Sequence, residues 1–280
     1  MNIGIIGYGY VGQATSLLGS NKTQLMIFDK DPDRSDWGTS IEDLIEFCEF
    51  IFVCVPTPMN HDGSCSTLEV SKVVYELIDK KYAPERIVVR STVPVGTCRK
   101  LGTMFMPEFL TEKNYEEDVR NQDHWILGTN DRNDDLREKL FNILTSAHEI
   151  GSLKKVPQLK FTTTEEAELS KYVRNCFLST KVSFFNEIYK FCEAKGINYD
   201  NVREISALDP RINESHTQVP GPDGKFGFGG TCFPKDMNSL SHQLNRAGVK
   251  ALVMQSCLKR NDSIDRPEKD WKNDKGRAVL

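Results

Sequence analysis

The residue best placed for covalent chemistry in this chain is a cysteine that follows three glycines and precedes a lysine and an aspartate. The stretch reads Gly227-Phe228-Gly229-Gly230-Thr231-Cys232-Phe233-Pro234-Lys235-Asp236. Glycines let a backbone turn tightly and approach a ligand closely, and a thiol becomes a nucleophile where a cation or a helix N-terminus stabilises its thiolate. Taken alone, the same letters also describe a surface turn leading into an ordinary buried cysteine. A second constellation opens the chain, where the apolar run Ile3 to Ile6 leads into Gly7-Tyr8-Gly9-Tyr10-Val11-Gly12. In a strand, glycine turn and helix of this kind the first glycine makes the turn and the second admits a pyrophosphate. The third lets helix and strand pack closely. Asp29 ends the next apolar run, near the roughly 20-residue interval at which a carboxylate meets the adenosine ribose. That carboxylate favours NAD and repels a 2′-phosphate, although Lys30 and Arg34 beside it are cations that tolerate one.

Positioning elements follow from the pattern. Strand-like runs at Phe50 to Val55, Ile87 to Val89, Thr103 to Met106 and Trp125 to Leu127 alternate with helical segments, among them one that begins at a Ser66/Glu69 capping box. Alternation of this kind builds a parallel, doubly wound, Rossmann-like sheet whose ligands lie beyond the carboxyl ends of the strands. Thr57, Thr92 and Glu108 fall there.

At Thr163 the pattern changes to a long helix, opened by a Thr163/Glu166 capping box and running to Gly196. At 1.5 Å per residue its roughly 50 Å length exceeds the width of one small domain, so it is expected as a spine joining two domains. A second apolar face with Phe177, Phe185 and Phe191 suits a partner subunit or a wrap of the same chain, while Lys171 and Asn175 share a face one turn apart. The expected organisation is therefore α/β: a dinucleotide-binding sheet domain over residues 1–160, an all-α domain on the long helix over 161–261, and a charged tail over 262–280.

Composition narrows the classes. The 36 basic and 40 acidic residues leave a net charge of −4, which excludes the basic footprint of nucleic-acid or anionic-membrane binding. No apolar run reaches membrane-spanning length. The eight cysteines contain no C-x-x-C pair and the five histidines no H-E-x-x-H, so no metal site is expected. Reduced thiols and the lack of a basic N-terminal region before Ile3 point to a cytoplasmic protein.

With these pieces placed, the chain resembles the UDP-glucose/GDP-mannose dehydrogenase family of nucleotide-sugar 6-dehydrogenases. The matching stretches are Gly7 to Gly12, Val55-Pro56-Thr57-Pro58, Ser91 to Gly96, Pro107-Glu108-Phe109-Leu110, Glu168 to Glu187, Asp209-Pro210-Arg211-Ile212 and Gly227 to Asp236, in family order over nearly the whole length. The resemblance implies oxidation of a sugar C6 alcohol to a carboxylate, UDP-glucose to UDP-glucuronate being the expected case, with two NAD reduced. It implies Cys232 as the nucleophile, Lys171 and Asn175 as oxyanion stabilisers, and Asp236, Glu112 and Thr92 in proton transfer and hydrolysis. It places NAD on Gly7, Gly9, Tyr10, Val11, Gly12, Asp29, Thr57, Thr92, Glu112 and Lys235. The sugar nucleotide falls to Glu108, Phe109, Leu110, Lys171, Asn175, Phe226 and Gly229. Arg211 is implied to reach the sugar site of a neighbouring subunit, hence a homodimer along residues 163–195.

Two departures stand out. Thr111-Glu112-Lys113 occupies the place where the family has arginine and glycine beside the glutamate, and the family's third domain has no counterpart before Leu280. The expectation is either an open cleft or a separate protein that supplies that domain. Two other functions are to be weighed: a β-hydroxyacid-type dehydrogenase, which transfers one hydride and needs no cysteine, and a nucleotide-binding module without turnover.

Overall fold

The computed structural model describes residues 1–130 and 133–280. Chain order is β1 (Asn2–Ile6), α1 (Tyr10–Ser16), β2 (Gln24–Phe28), α2 (Ile41–Phe47), β3 (Phe50–Val53), α3 (Leu68–Asp79), β4 (Ile87–Val89), α4 (Thr97–Leu101), β5 (Met104–Phe105), α5 (Tyr115–Arg120), β6 (His124–Gly128), α6 (Asp134–Glu149), β7 (Gln158–Thr162), α7 (Thr164–Lys195), α8 (Tyr199–Ala207), α9 (Phe233–Arg246) and α10 (Leu252–Arg260). The chain divides into two compact units: Met1–Thr57 with Thr67–Lys171, and Pro58–Ser66 with Tyr172–Leu280.

The first unit holds a seven-stranded sheet in the order β2-β1-β3-β4-β5-β6-β7. All neighbours are parallel except β5 and β6, which meet antiparallel at Phe105 and Gly128. Side chains alternate across the strands. Ile3, Ile5, Phe50, Phe52, Val88 and Trp125 enter one apolar layer with Leu136, Leu140 and Ile143 of α6, whereas Ile51, Val53, Ile87, Val89 and Phe105 enter the other with Val70, Val74 and Leu77 of α3. Because β2 and β3 flank β1 on opposite sides, the chain reverses its direction of winding there. That switch point is where doubly wound sheets bind ligands. Strand β7 was not anticipated: it lies at the sheet edge with a largely exposed pattern, so it has no apolar run to announce it.

Helix α7 spans 32 residues. Its expected capping box is present, with Thr163 N–H donating to Glu166 Oε2 at 3.0 Å and Glu166 N–H to Thr163 Oγ1 at 3.3 Å. It stops before Gly196, which takes φ +68° in the left-handed conformation that ends many helices. The box expected at Ser66 and Glu69 does not form; the N-cap of α3 is Thr67, with no side-chain cap bond. On α7, Phe177 and Phe191 of the second apolar face are exposed, but Phe185 is buried and Phe184 is exposed in its place. Residues seven apart return to nearly the same direction on a helix, so 177, 184 and 191 share a face that 185 leaves.

The second unit buries Tyr172, Cys176, Phe228, Met237 and Leu240 in one cluster and Phe185, Cys192, Tyr199 and Val219 in another. Residues 262–280 are packed into it rather than forming a tail. Trp271 and Ala278 are buried, Met59 N–H donates to Ala278 O at 3.0 Å and Leu280 N–H to Met59 O at 3.1 Å. The segment's charges are paired among themselves and with the 223–225 turn, which is why helical periodicity does not reveal it.

Candidate active site

The three glycines of the N-terminal turn have separate steric reasons. Gly7 has φ +91°, and a Cβ there would lie 2.7 Å from the carbonyl oxygen of Cys54. At Gly12 a Cβ would overlap the Gly7 carbonyl oxygen, so α1 packs against β1 only if that residue is glycine. Around Gly9 the space is open, with nothing within 4 Å of a Cβ position. This is the cradle a pyrophosphate needs, and Tyr10 and Val11 begin α1 directly behind it. Asp29 follows β2 and accepts from the amides of Tyr8 at 2.6 Å and Asp31 at 2.9 Å. Each carboxylate oxygen keeps acceptor capacity for a ribose hydroxyl. Of the two cations beside it, Arg34 is directed to Asp31 at 3.3 Å and Lys30 is exposed. The residues present fit a dinucleotide.

Thr57, Thr92 and Glu108 follow the carboxyl ends of the adjacent parallel strands β3, β4 and β5, as expected. Ser91 Oγ donates to Val55 O at 2.6 Å, joining the first two of these loops. A further brace comes from Glu168 on α7, whose carboxylate accepts from the amides of Gly96 at 2.5 Å and Cys98 at 2.8 Å; burial pushes its carboxyl up, against these two bonds. Glu108 is buried in this unit. Its Oε1 lies 2.6 Å from Lys171 Nζ, with both side chains buried, and its Oε2 accepts from Leu110 N–H at 2.9 Å. Lys171 also donates to the Glu108 carbonyl oxygen at 2.7 Å and stands 6.0 Å from the Phe109 ring centroid. Glu112 lies on an exposed loop before α5.

In the second unit Cys232 is the N-cap of α9, a 14-residue helix with Pro234 in its first turn, and its side chain does not cap the helix amides. Thr231 Oγ1 is 3.6 Å from the thiol sulfur. The other seven cysteines are buried, whereas Cys232 is part-exposed. One turn into the helix, Lys235 Nζ lies 2.6 Å from Asp236 Oδ1, and Asn175 Nδ2 donates to Asp236 Oδ2 at 2.6 Å. All three side chains are buried. Burial disfavours the Lys235 charge, but Asp236, Cys65 and Cys232 outweigh it and hold the ammonium above its usual range. Lys235, expected against the cofactor, directs its ammonium to Asp236. Cys65, which no local pattern singled out, joins this group because residues 58–66 fold with the second unit.

The remaining predicted residues are dispersed. Arg211 is exposed and forked onto Asp209, with Nη2 at 2.5 Å and Nε at 3.0 Å from its carboxylate. Phe226 packs on Tyr189 at 5.5 Å between ring centroids, under Lys190 Nζ at 4.7 Å. Gly229 backs onto the guanidinium of Arg266, a residue sequence reasoning missed. Among the described residues no helix is long and apolar enough to cross a membrane.

Comparison with known families gives two matches in sequence order. Residues 33–148 match the NAD binding domain of the UDP-glucose/GDP-mannose dehydrogenase family and residues 165–263 match its central domain. The chain belongs to this family. Its cofactor is NAD. Among family relatives, a UDP-glucose 6-dehydrogenase of Rickettsia bellii is 29% identical over 93% of this chain and 67% of its own length. The UDP-glucose 6-dehydrogenase YwqF of Bacillus subtilis is 28% identical over 94% of this chain and 66% of its own. The chain thus spans about two thirds of the length of the curated relatives it matches. A UDP-glucose dehydrogenase structure from Pyrobaculum islandicum shares the fold with a TM-score of 0.79 at 23% identity, covering 93% of this chain and 68% of that one. The fold is also shared by a 3-hydroxyisobutyrate dehydrogenase from Mycobacterium tuberculosis, with a TM-score of 0.68 at 13% identity over 92% and 91% of the two chains.

Proposed function

We propose that this chain oxidises the C6 alcohol of a nucleotide sugar to a carboxylate, UDP-glucose to UDP-glucuronate, through a covalent adduct on Cys232. The observation that carries the reading is the part-exposed thiol at the N-cap of α9 one turn from the buried Asn175–Asp236–Lys235 chain. A part-exposed thiol at that position is open to an incoming carbonyl carbon.

The Gly7–Gly12 turn and Asp29 would hold NAD, which supplies a hydride acceptor for the first oxidation; a second NAD, taken up after the first NADH leaves, would supply the acceptor for the second. In the first, C6 loses a hydride while a base takes the hydroxyl proton through an ordered water, leaving an aldehyde. The Cys232 thiolate adds to that carbonyl, so the aldehyde is held rather than released. The tetrahedral oxyanion needs donors. An ammonium has three and Glu108 takes two from Lys171, which leaves one, and the Asn175 amide has a second N–H beside the one given to Asp236. Loss of the second hydride from the thiohemiacetal gives a thioester. Water then adds to the thioester carbonyl, Cys232 leaves as thiolate, and the acid is released; Asp236, Glu112 and Thr92 are the groups assigned to orient that water and take its proton.

The test is a count. UDP-glucose turnover should yield two NADH per sugar and stoichiometric acid, and Cys232→Ser should form no acid while still binding NAD. One NADH per sugar would identify a single-hydride dehydrogenase of the β-hydroxyacid kind, and none a binding module.

A further inference from the structure

Three residues before Cys232, the Cα of Gly229 lies against the guanidinium of Arg266. A Cβ at Gly229 would overlap Cζ, Nη1 and Nη2, so loop and arginine touch with no side chain between them. Arg266 is 4% exposed and each of its three guanidinium nitrogens is directed to a carboxylate. Nη1 meets Asp223 at 2.8 Å, while Nε and Nη2 each meet an Asp270 oxygen at 2.7 Å. Asp270 also accepts from Lys225 at 2.7 Å. One arginine therefore ties together the start of the 223–230 loop, its glycine centre and the segment after α10. Planar bidentate pairing of this kind fixes direction as well as distance.

Asn261 adds a second anchor. It is fully buried, its Nδ2 donates to Phe228 O at 3.0 Å and its Oδ1 accepts from Phe228 N–H at 2.8 Å. Between this anchor and α9 stands Gly230, left-handed with φ +72°, a conformation that glycine adopts and leaves easily. The chain's entry into α9 is thus bounded by the grip on Phe228 and Gly229 on one side and by the buried pairs of Asp236 on the other.

We infer that Arg266 is a positioning residue for Cys232, clamping Gly229 so that the thiol projects from the first turn of α9 beside Lys235. The inference rests on the reading of Cys232 as nucleophile, but its test does not depend on turnover. Iodoacetamide alkylation, mapped by peptide mass, reports the reactivity of Cys232 against the seven buried cysteines of the same chain. Arg266→Met keeps the length of the side chain and removes both ion pairs. Alkylation of Cys232 should slow several-fold as the thiol loses its part-exposed placement. In turnover kcat should fall while KM for NAD stays unchanged, and Arg266→Lys, which keeps the charge without the fork, should recover part of the loss. A folded Arg266→Met chain alkylated at the wild-type rate overturns the inference. If circular dichroism shows Arg266→Met unfolded, Gly229→Ala probes the same contact from the loop side without changing a charge. Wild-type alkylation of that variant is equally fatal. Failure of the nucleophile reading looks different: Cys232→Ser would then still form acid, whatever the alkylation rates.

Discussion

Lys171 Nζ sits 2.6 Å from Glu108 Oε1 and 2.7 Å from the Glu108 carbonyl oxygen, with the two side chains 3% and 4% exposed. A pair so placed joins the loop after β5 to α7. Removing one partner from a buried pair leaves an uncompensated charge, at a cost of about 3–5 kcal/mol, whereas replacing both with apolar groups of similar volume is often neutral. Glu108→Leu and Lys171→Met should therefore each lower the urea midpoint strongly, and the double variant should recover most of the loss. Additive losses in the double variant would mean that the two groups do not compensate each other.

Asp29 bears on the choice of cofactor. Its carboxylate is held by the Tyr8 and Asp31 amides and Arg34 is turned toward Asp31, so the negative charge stands where a 2′-phosphate would approach. NAD should be favoured over NADP by an amount on the order of 1–3 kcal/mol in kcat/KM, from lost hydrogen bonds and repulsion. Asp29→Asn keeps an acceptor for the Tyr8 amide but removes the charge, and should narrow that gap. Equal efficiency of the unmodified protein with both cofactors would show that Lys30 overrides the carboxylate.

Asp270 has a pH signature. Its hydrogen bonds from Arg266, assisted by Lys225 and opposed by burial, hold its carboxyl well below the usual range. A carboxyl lowered in the folded state contributes stability above its unfolded pKa, about 4, and loses it as pH falls toward the folded value. The difference in melting temperature between the wild type and Asp270→Asn should be widest near neutrality and shrink progressively below about pH 4. A difference that does not change with pH would assign the effect to packing instead of ionisation.

These contacts show which parts of the site are legible in sequence. The Gly7–Gly12 turn, the strand-end threonines and the helix carrying Lys171 and Asn175 are local patterns, and each can be read from a window of a few residues. Glu108 and Lys171 are 63 residues apart, as are no neighbours that periodicity could connect. The same holds for Arg266 against Gly229 and for Cys65 near Lys235, where loops with no repeat of their own are fixed by ion pairs and close backbone packing. A strand at a sheet edge, such as β7, escapes for a different reason: with one face and one edge in solvent, it carries too little apolar signal.

The face of α7 bears on assembly. Leu169, Val173, Phe177, Phe184 and Phe191 are between 41% and 64% exposed, and their spacing of four and seven keeps them on one side of the helix. A continuous apolar stripe of this length is seldom left in water. We propose that it packs against its own copy about a two-fold axis, and that the exposed Arg211 enters the partner's sugar site. Light scattering at micromolar concentration should give a dimer, and Phe177→Glu with Phe184→Glu should give a monomer. A sharper test mixes two inactive variants. In a hybrid of Arg211→Ala and Cys232→Ser subunits, one site combines the intact cysteine of the first with the intact arginine of the second, while the other site carries both lesions. Mixing should therefore restore acid formation to up to half of the native rate per hybrid dimer. No recovery, in hybrids verified by mass, would assign Arg211 to the chain that carries it and remove the partner from the site.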